Sequence, residues 1–159
     1  MERKALLKIP AREVERRLER FKEVAAQAGL KLTHQRLEIY KELARTGEHP
    51  DAETLFRRVR KRVPTISRDT VYRTLWGLEE LGLVDTLGHA GRQVRFDANV
   101  DPHHHFVCTR CGKVEDVSCP DFDGISPPEE VKQVGRVERI TVEFRGICAA
   151  CARKARRGK

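Results

Sequence analysis

Two Cys-x-x-Cys pairs constrain this chain of 159 residues more than any other feature of its sequence. The first pair is Cys108 and Cys111, and the second, separated from it by 36 residues, is Cys148 and Cys151. A Cys-x-x-Cys turn directs two thiolates at one ion, and two such turns complete a closed tetrahedral site with Zn–S distances of about 2.3 Å. Four soft thiolates favour zinc and leave no open position for a substrate. The spacing therefore predicts one structural Zn²⁺ per chain, bound by these four side chains.

A redox-active dithiol is the alternative interpretation of the two pairs. That alternative needs a thioredoxin-like βαβ pattern, which surrounds neither pair. Cys119 has no partner at ligand spacing and is interpreted as a bystander thiol. The N-terminal stretch MERKALLKIP lacks the apolar segment of a signal peptide, and no run of about 18 uncharged apolar residues occurs. We therefore expect a cytoplasmic protein with reduced thiols and no membrane partner.

The apolar pattern of the first 96 residues predicts four helices followed by a hairpin. Apolar residues recur at steps of three and four, and capping residues or glycines stand at the expected ends. Two β-prone runs around a glycine-containing connection follow over residues 84–96. This order is typical of a winged helix-turn-helix. The predicted helices are residues 11–28, a second from the cap Thr33 to Gly47, a third opening at Pro50–Asp51, and a fourth from the cap Ser67 to Gly82.

From residue 100 onward the sequence has the character of short strands, and we place a domain boundary near residues 97–102. The predicted elements are strands over 105–108 and 114–117, a loop over 118–128, a short helix over 129–134, and a half-buried strand through Ile140, Val142 and Phe144. The fold class is therefore α+β. An N-terminal winged helix-turn-helix domain precedes a small C-terminal α/β domain that carries the four-cysteine zinc site.

The positive charge of the chain is unevenly distributed. The formal net charge is +8, with +6 over residues 1–82 and −3 over residues 83–151. The last eight residues add five positive charges and no negative ones. A basic N-terminal half suggests a polyanionic partner for that half. Charge alone does not exclude an ordinary solvated helical surface.

A second group of metal-ligating residue types lies around the three consecutive histidines. Side chains alternate along a strand, so His103 and His105 point to one face and His104 to the other. Asp116 on the next strand is within reach of the first two, and Asp97 precedes the group at the domain boundary. Imidazoles with carboxylates suit Fe(II), Mn(II) or Zn(II). Surface decoration is the alternative interpretation of the histidine run.

The fourth predicted helix has residues that read DNA in other proteins. Arg68, Tyr72, Arg73 and Thr74 can lie on its exposed face while the apolar residues pack inward. Arginine binds guanine edges or phosphates, serine and threonine bind either, and a tyrosine ring contacts a thymine methyl. An ordinary surface helix is the alternative.

Six stretches of the chain resemble one known family. They are LKLTHQR (30–36), EHPDAETLF (48–56), TVYRTL (70–75), RQVRFD (92–97), HHHFVCTRCGKVED (103–116) and GICAAC (146–151). In this order, and over nearly the whole chain, the sequence resembles the ferric uptake regulator (Fur) family of bacterial metal-dependent repressors. The resemblance implies no enzymatic activity and no organic substrate.

The resemblance implies a dimer that binds a double-stranded, palindromic, AT-rich operator. Residues 1–96 match a winged-helix DNA-binding domain, 97–102 a hinge, and 103–159 a dimerisation and metal-binding domain. The four cysteines match the structural zinc ligands. Residues at the positions of the regulatory Fe²⁺ or Mn²⁺ ligands are His49, Asp97, His103, His105 and Asp116. The matching DNA-binding residues are Tyr72 and Arg73 for bases and Lys31 and Arg36 for the backbone, with Ser67, Arg68 and Thr70 on the same helix.

Fur-type iron sensors usually have glutamate at the position that matches Asp116 and often at the one that matches Asp97. Aspartate at both positions resembles the peroxide-sensing (PerR-like) branch of the family. In that branch Fe(II) reacts with peroxide and a ligand histidine, here His49 or His103, is oxidised. The alternative is an iron-responsive repressor without peroxide sensing. A zinc-responsive regulator is disfavoured because no cysteine lies between the wing and the histidines. A metal-dependent hydrolase is disfavoured because five candidate ligands around one ion leave no obvious position for a substrate, and no nucleophile pattern is evident.

Overall fold

The computed structural model describes residues 9–88 and 93–157, apart from the side chains of Arg156 and Arg157. It divides into a first unit, Met1–Val100, and a second unit, Asp101–Lys159. The centre of the predicted hairpin connection, residues 89–92, lies outside the described residues. Among the helices described, none is long and apolar enough to cross a bilayer.

The first unit begins with four helices that pack around one apolar core. Their starts carry side-chain caps at the predicted positions, since Thr33, Asp51 and Ser67 accept hydrogen bonds from backbone N–H groups three residues later. The second helix ends earlier than the predicted Gly47, because the N–H of Arg45 closes its last turn. The helices are α1 Ala11–Gln27, α2 His34–Ala44, α3 Ala52–Arg60 and α4 Arg68–Glu80.

A two-stranded hairpin completes the first unit. Strand β1, Asp85–Leu87, pairs antiparallel with β2, Arg95–Asp97. The segment before α3 joins the hairpin, because Asp51 bridges Arg95 and the N–H of Phe96 donates to the carbonyl of Pro50 at 3.0 Å. The unit therefore has the helix order and wing of the predicted winged helix-turn-helix.

The second unit is a three-stranded sheet with short helices. Strand β3, His104–Cys108, is central, with β4, Val114–Val117, antiparallel on one side and β5, Glu143–Gly146, parallel on the other. The helices are α5 Pro120–Asp123, α6 Glu129–Val134 and α7 Ala149–Arg157. Their mixture with strands gives the α+β class that the sequence predicts.

Two predicted elements of the second unit are corrected. The region 118–128 is not all loop, because Pro120 occupies the first turn of α5, where its missing N–H costs nothing. The last strand begins at Glu143 rather than at Ile140. The carbonyl of Val142 accepts the first hydrogen bond from β3, from the N–H of His105 at 3.1 Å, but its own N–H donates to the imidazole Nδ1 of His104 at 3.2 Å. Because the ring takes this N–H, the pairing does not extend back to Ile140.

Helix α1 is attached to α2 through a buried arginine. Arg17 is 7% exposed, donates to the carbonyl of Ala44 at 3.4 Å and forms an ion pair with Glu13 at 2.8 Å. Hydrogen bonds from Arg16 and then from Arg17 lower the pKa of Glu13 to about 2. The charged form of Glu13 is therefore stabilised in the folded state.

We expect Glu13→Gln to lower the free energy of unfolding by about 1 kcal/mol or less at pH 7, because the pair is partly solvated. A carboxylate with a depressed pKa stabilises the fold above its unfolded pKa and loses that contribution as the pH falls towards 2. Urea unfolding at pH 7 and at pH 3 measures the effect, which should shrink at the lower pH. Glu19→Gln is the control on the same helix, and an equal effect of both variants would contradict the assignment.

Candidate metal centres and nucleic-acid interface

The four predicted zinc cysteines lie together in the second unit. Cys108 ends β3, Cys111 lies in the following turn, and Cys148 and Cys151 stand immediately before and inside the first turn of α7. Gly112 closes the turn after Cys111 with a φ of 70°, a conformation that glycine adopts without steric cost. The four Sγ atoms lie within 4.8 Å of one another.

The spacing of these sulfurs fits a tetrahedral ion. The Sγ atoms of Cys111 and Cys148 are 3.8 Å apart, and no disulfide joins the cysteines. Zn–S distances of about 2.3 Å give a sulfur–sulfur edge of about 3.8 Å in a tetrahedron. The donor set and its geometry therefore suit a thiophilic divalent cation.

Two of the thiols have opposite protonation preferences. The backbone N–H of Cys148 donates to Sγ of Cys108 at 3.3 Å and, with the N–H of Cys111, lowers the pKa of Cys108 to about 6. The pKa of Cys151 is raised to about 12, first because its thiol donates to the sulfur of Cys111 and then because of Cys148. Cys151 can therefore be a thiolate at neutral pH only when a cation displaces its proton.

The three predicted ligands of the second unit form one group. His103 and Asp116 are 3.4 Å apart between Nε2 and Oδ1, and His105 reaches the same oxygen at 3.8 Å. The Nδ1 of His103 lies 2.7 Å from the carbonyl oxygen of Asp101, so it carries the proton. Nε2 of His103 therefore keeps the lone pair that a metal needs, which is the usual arrangement behind a histidine ligand.

The two predicted ligands of the first unit form a second pair. His49 and Asp97 are both buried, with 3.2 Å between Nε2 and Oδ2. Asn99 fixes the carboxylate by donating its N–H to Oδ1 at 2.7 Å. His49 has a φ of 52°, uncommon for a residue with a side chain. Strained, buried backbone of this kind is concentrated at functional sites.

His104 points away from the other two histidines and forms hydrogen bonds within the second unit. Its Nδ1 accepts the N–H of Val142, so its Nε2 carries the proton and donates to Asp123 at 3.1 Å. Its ring also meets Phe122 edge-on. Both nitrogens are thus used within the second unit.

Helix α4 exposes most of the residues predicted to contact DNA. Tyr72 is 42% exposed, and the side chain of Arg73 is 79% exposed and ion-paired with Asp69. Arg68 is exposed as well. Thr74 is a correction, since it is 8% exposed and packs inward between the apolar positions of α4.

An open recess joins α4 to the start of α2. It is lined by Thr33, Gln35, Arg36, Thr70, Arg73 and Thr74. Arg36 is held across this end of the helix because its guanidinium donates to the carbonyl of Lys31 at 2.7 Å. The cations and the first N–H groups of α2 suit an anion such as a phosphate. Ser67 remains occupied as the cap of α4, with its Oγ 3.0 Å from the N–H of Thr70.

Arg95 supports the backbone of the candidate ligand His49 through a contact that the sequence did not indicate. Its guanidinium donates to the carbonyl of His49 at 3.0 Å, and this bond supports the left-handed backbone there. Arginine in a short strand is unremarkable in a sequence. Only a conserved pairing of positions 49 and 95 in related sequences would have suggested the contact.

A winged helix-turn-helix followed by a small sheet with a four-cysteine centre is the architecture of a metal-binding transcription regulator. The profile of the Ferric uptake regulator family matches residues 27–144. The peroxide-responsive repressor PerR of Staphylococcus aureus (strain Mu50) is 30% identical over 141 residues, which are 89% of this chain and 95% of that protein.

Two solved structures extend the comparison. The Campylobacter jejuni peroxide stress regulator is 31% identical with a TM-score of 0.64, over 84% of this chain and 98% of the other. A zinc uptake regulator solved with zinc and DNA is 25% identical with a TM-score of 0.64, over 90% of this chain and 97% of the other. The chain belongs to the ferric uptake regulator family, whose members are metal-responsive, DNA-binding transcription regulators that act as dimers and are not enzymes.

We expect Arg95→Ala to loosen the His49 segment, because His49 then loses the charged hydrogen bond to its carbonyl, an interaction of about 1.5–3 kcal/mol. Amide exchange of Phe96, whose N–H binds Pro50, should accelerate by about tenfold for each 1.4 kcal/mol lost. Hydrogen exchange resolved by NMR measures this. Gln93→Ala is the control, and equal protection of Phe96 in both variants would show that Arg95 is dispensable.

Proposed function

We propose that this protein is a dimeric transcriptional repressor of the cytoplasm. It binds palindromic, AT-rich operators when its regulatory site holds Fe(II) or Mn(II), and it releases DNA when peroxide oxidises a histidine ligand. The observation that carries the proposal is that aspartates, not glutamates, accompany the buried imidazoles: Asp97 beside His49, and Asp116 beside His103 and His105. The similarity to peroxide-responsive regulators supports the same branch.

The proposed regulatory ligands come from both units. His49 and Asp97 of the first unit, with His103, His105 and Asp116 of the second, supply three neutral imidazoles and two carboxylates to one ion. Such a set suits Fe(II) and Mn(II), which accept mixed nitrogen and oxygen ligands. The carbonyl of Asp101 orients His103, and the N–H of Asn99 orients Asp97. Because ligands on two units share one ion, metal binding selects one arrangement of the units and changes DNA affinity.

In this site Fe(II) would supply the redox chemistry with peroxide that adds oxygen to a ligand, whereas Mn(II) would activate binding without it. His49 and His103 are the proposed acceptors of that oxygen. Loss of the oxidised imidazole as a ligand releases the constraint between the units. The protein's own part is to hold the two imidazoles and, at His103, to keep the proton on Nδ1 through the carbonyl of Asp101.

The four cysteines hold the proposed structural Zn²⁺. The 3.8 Å edge between Cys111 and Cys148 supports zinc. Binding of the ion would release the proton of Cys151, whose pKa is raised in the metal-free cluster. The site has four protein ligands and therefore a structural rather than a reactive role.

Helix α4 is the proposed reading helix. Exposed Tyr72 and Arg73 contact bases, and Arg68, Thr70 and Ser67 lie in the same helix start. Lys31 and Arg36 bind the backbone beside them. The ion pair between Arg73 and Asp69 must open or be shared when DNA binds.

The decisive measurement is operator binding after anaerobic loading with Fe(II) or with Mn(II), before and after peroxide. We expect both forms to bind DNA and only the Fe(II) form to lose it, with a mass gain of one oxygen in the peptide containing His49 or His103. The five proposed ligands leave one position of a six-coordinate ion for peroxide. Asp116→Glu should keep metal-dependent binding and lose the peroxide response, because the longer carboxylate can occupy that position with its second oxygen. An unmodified, DNA-bound Fe(II) protein under peroxide would leave the iron-responsive alternative in place.

We expect Cys108→Ser to remove one zinc per chain and to abolish the folded dimer, because binding energy of such sites is folding energy. Metal analysis, circular dichroism and sedimentation measure the three consequences. Cys119→Ser is the matched control, since this thiol lies at the start of α5 outside the cluster. A zinc-free variant that remains a stable dimer would refute the structural role.

A further inference from the structure

A basic ridge runs along the end of α3 and the start of α4. It consists of Arg57, Arg60, Lys61 and Arg68, all exposed. Within residues 9–88 and 93–157, no carboxylate forms an ion pair with the first three. Arg68 pairs with Glu53 at 3.1 Å, so the ridge keeps a surplus of three positive charges.

The neighbouring cations of the same segment are neutralised. Arg58 pairs with Glu48, and Arg62 pairs with Glu38 and Glu42 of α2. The segment Arg57–Arg62 therefore divides into cations that fasten α3 to α2 and cations that face solvent. Ion pairs within the fold account for the cations of the first group. Within the part of the chain that the structure describes, the ridge has no comparable structural role.

Two arginines of the ridge share one aromatic ring. The guanidinium carbons of Arg60 and Arg68 lie 5.6 Å and 5.3 Å from the ring centre of Phe56. Phe56 is 6% exposed and fixed in the core of the first unit. Cation–π contact restricts the two side chains. Arg60 keeps its guanidinium edge for an acceptor such as phosphate, whereas Nε and Nη2 of Arg68 bind Glu53, so that Arg68 offers Nη1 or exchanges Glu53 for the phosphate.

The ridge flanks the proposed reading face of α4 on the side opposite to α2. At 3.6 residues per turn, Arg68 and Thr70 lie about 200° apart around the helix, with Tyr72 and Arg73 between them. Arg68 contacts α3 through Phe56, whereas Thr70 lines the recess shared with Arg36. A major groove is likewise bordered by a phosphate backbone on each side, about 12 Å apart.

We propose that Arg60 and Arg68, held on Phe56, bind phosphates of the DNA strand that borders the α3 side of the groove. The proposal rests on α4 being the reading helix, as argued above. The ridge has no exposed apolar anchor, since its one ring is buried beneath the cations. A surface with a surplus of positive charge and no exposed apolar residue among its members fits a polyanion better than a protein partner, whose interfaces are centred on apolar and aromatic residues.

The test is the salt dependence of DNA binding by the full-length, zinc-loaded protein. A random-sequence duplex is titrated from about 50 to 200 mM KCl with wild type, Arg60→Ala and the double variant with Arg68→Ala. We expect the slope of log K against log salt to fall by about 1 in the single variant and by about 2 in the double variant. Arg45→Ala is the matched control, because Arg45 is an exposed cation at the opposite end of α2 from the recess.

An unchanged slope in both ridge variants, or an equal fall in Arg45→Ala, overturns the proposal. Binding to the random duplex reports phosphate contacts alone, so this test of the ridge is independent of the test of the proposed function, which uses the operator. If Mn(II) fails to raise operator affinity while the ridge variants lose slope, the metal response is wrong and the ridge stands. If Mn(II) activates operator binding and the slopes are unchanged, the metal response stands and the proposed role of the ridge is wrong.

Phe56 supplies an independent test of positioning. Phe56→Leu keeps every charge, so we expect weaker binding to both random and operator duplexes, while Phe56→Tyr restores a ring and wild-type affinity. Circular dichroism establishes that each variant is folded. Wild-type affinity of a folded Phe56→Leu protein would refute the positioning role.

Discussion

The four-cysteine cluster is the interaction on which the second unit depends. The core cluster of this unit consists of the buried Cys108, Cys148 and Cys151, and the partly buried Phe106 packs against them. The sulfurs join the end of β3 to the start of α7, forty residues later in the chain. So little apolar surface cannot by itself balance the entropy of ordering the sheet and helices. Metal binding and folding of this unit are therefore best regarded as one process.

The first unit is stabilised in another way. Apolar side chains from all four helices and from β2 share one core, and Tyr40 stacks on Phe21 at its centre with 4.6 Å between rings. Surface arginines then tie neighbouring helices together, as Arg62 does by binding two glutamates of α2. Each exposed ion pair of this kind contributes little to the free energy of unfolding, so these pairs orient the helices more than they stabilise the fold. This unit needs no metal for its core.

The sequence predicted the features that local chemistry determines. Caps at Thr33, Asp51 and Ser67 marked three helix starts, because a side-chain oxygen must accept an otherwise unsatisfied N–H. It failed where distant groups compete for the backbone: Val142 binds the ring of His104, which delays β5 to Glu143. A threonine inside an amphipathic helix can face either way, which is why Thr74 was misplaced. Nothing local distinguishes His49 from a loop histidine, and only the family pattern predicted it as a metal ligand.

The proposed metal ligands of the first unit are connected to the proposed reading helix, α4, by a short series of side-chain contacts. Asp97 follows Phe96 in β2, and the ring of Phe96 meets Trp76 of α4 edge-on at 5.6 Å. Trp76 lies one turn after Tyr72 on the same helix. Arg95, on the other side of Phe96, holds the carbonyl of His49. His49 and Asp97 therefore contact or belong to a strand that itself contacts α4, so the first unit contains a continuous series of contacts from the proposed ligands to the proposed reading helix. Rearrangement of the two units need not be the whole of the response, because tightly packed side chains transmit small displacements between neighbouring elements.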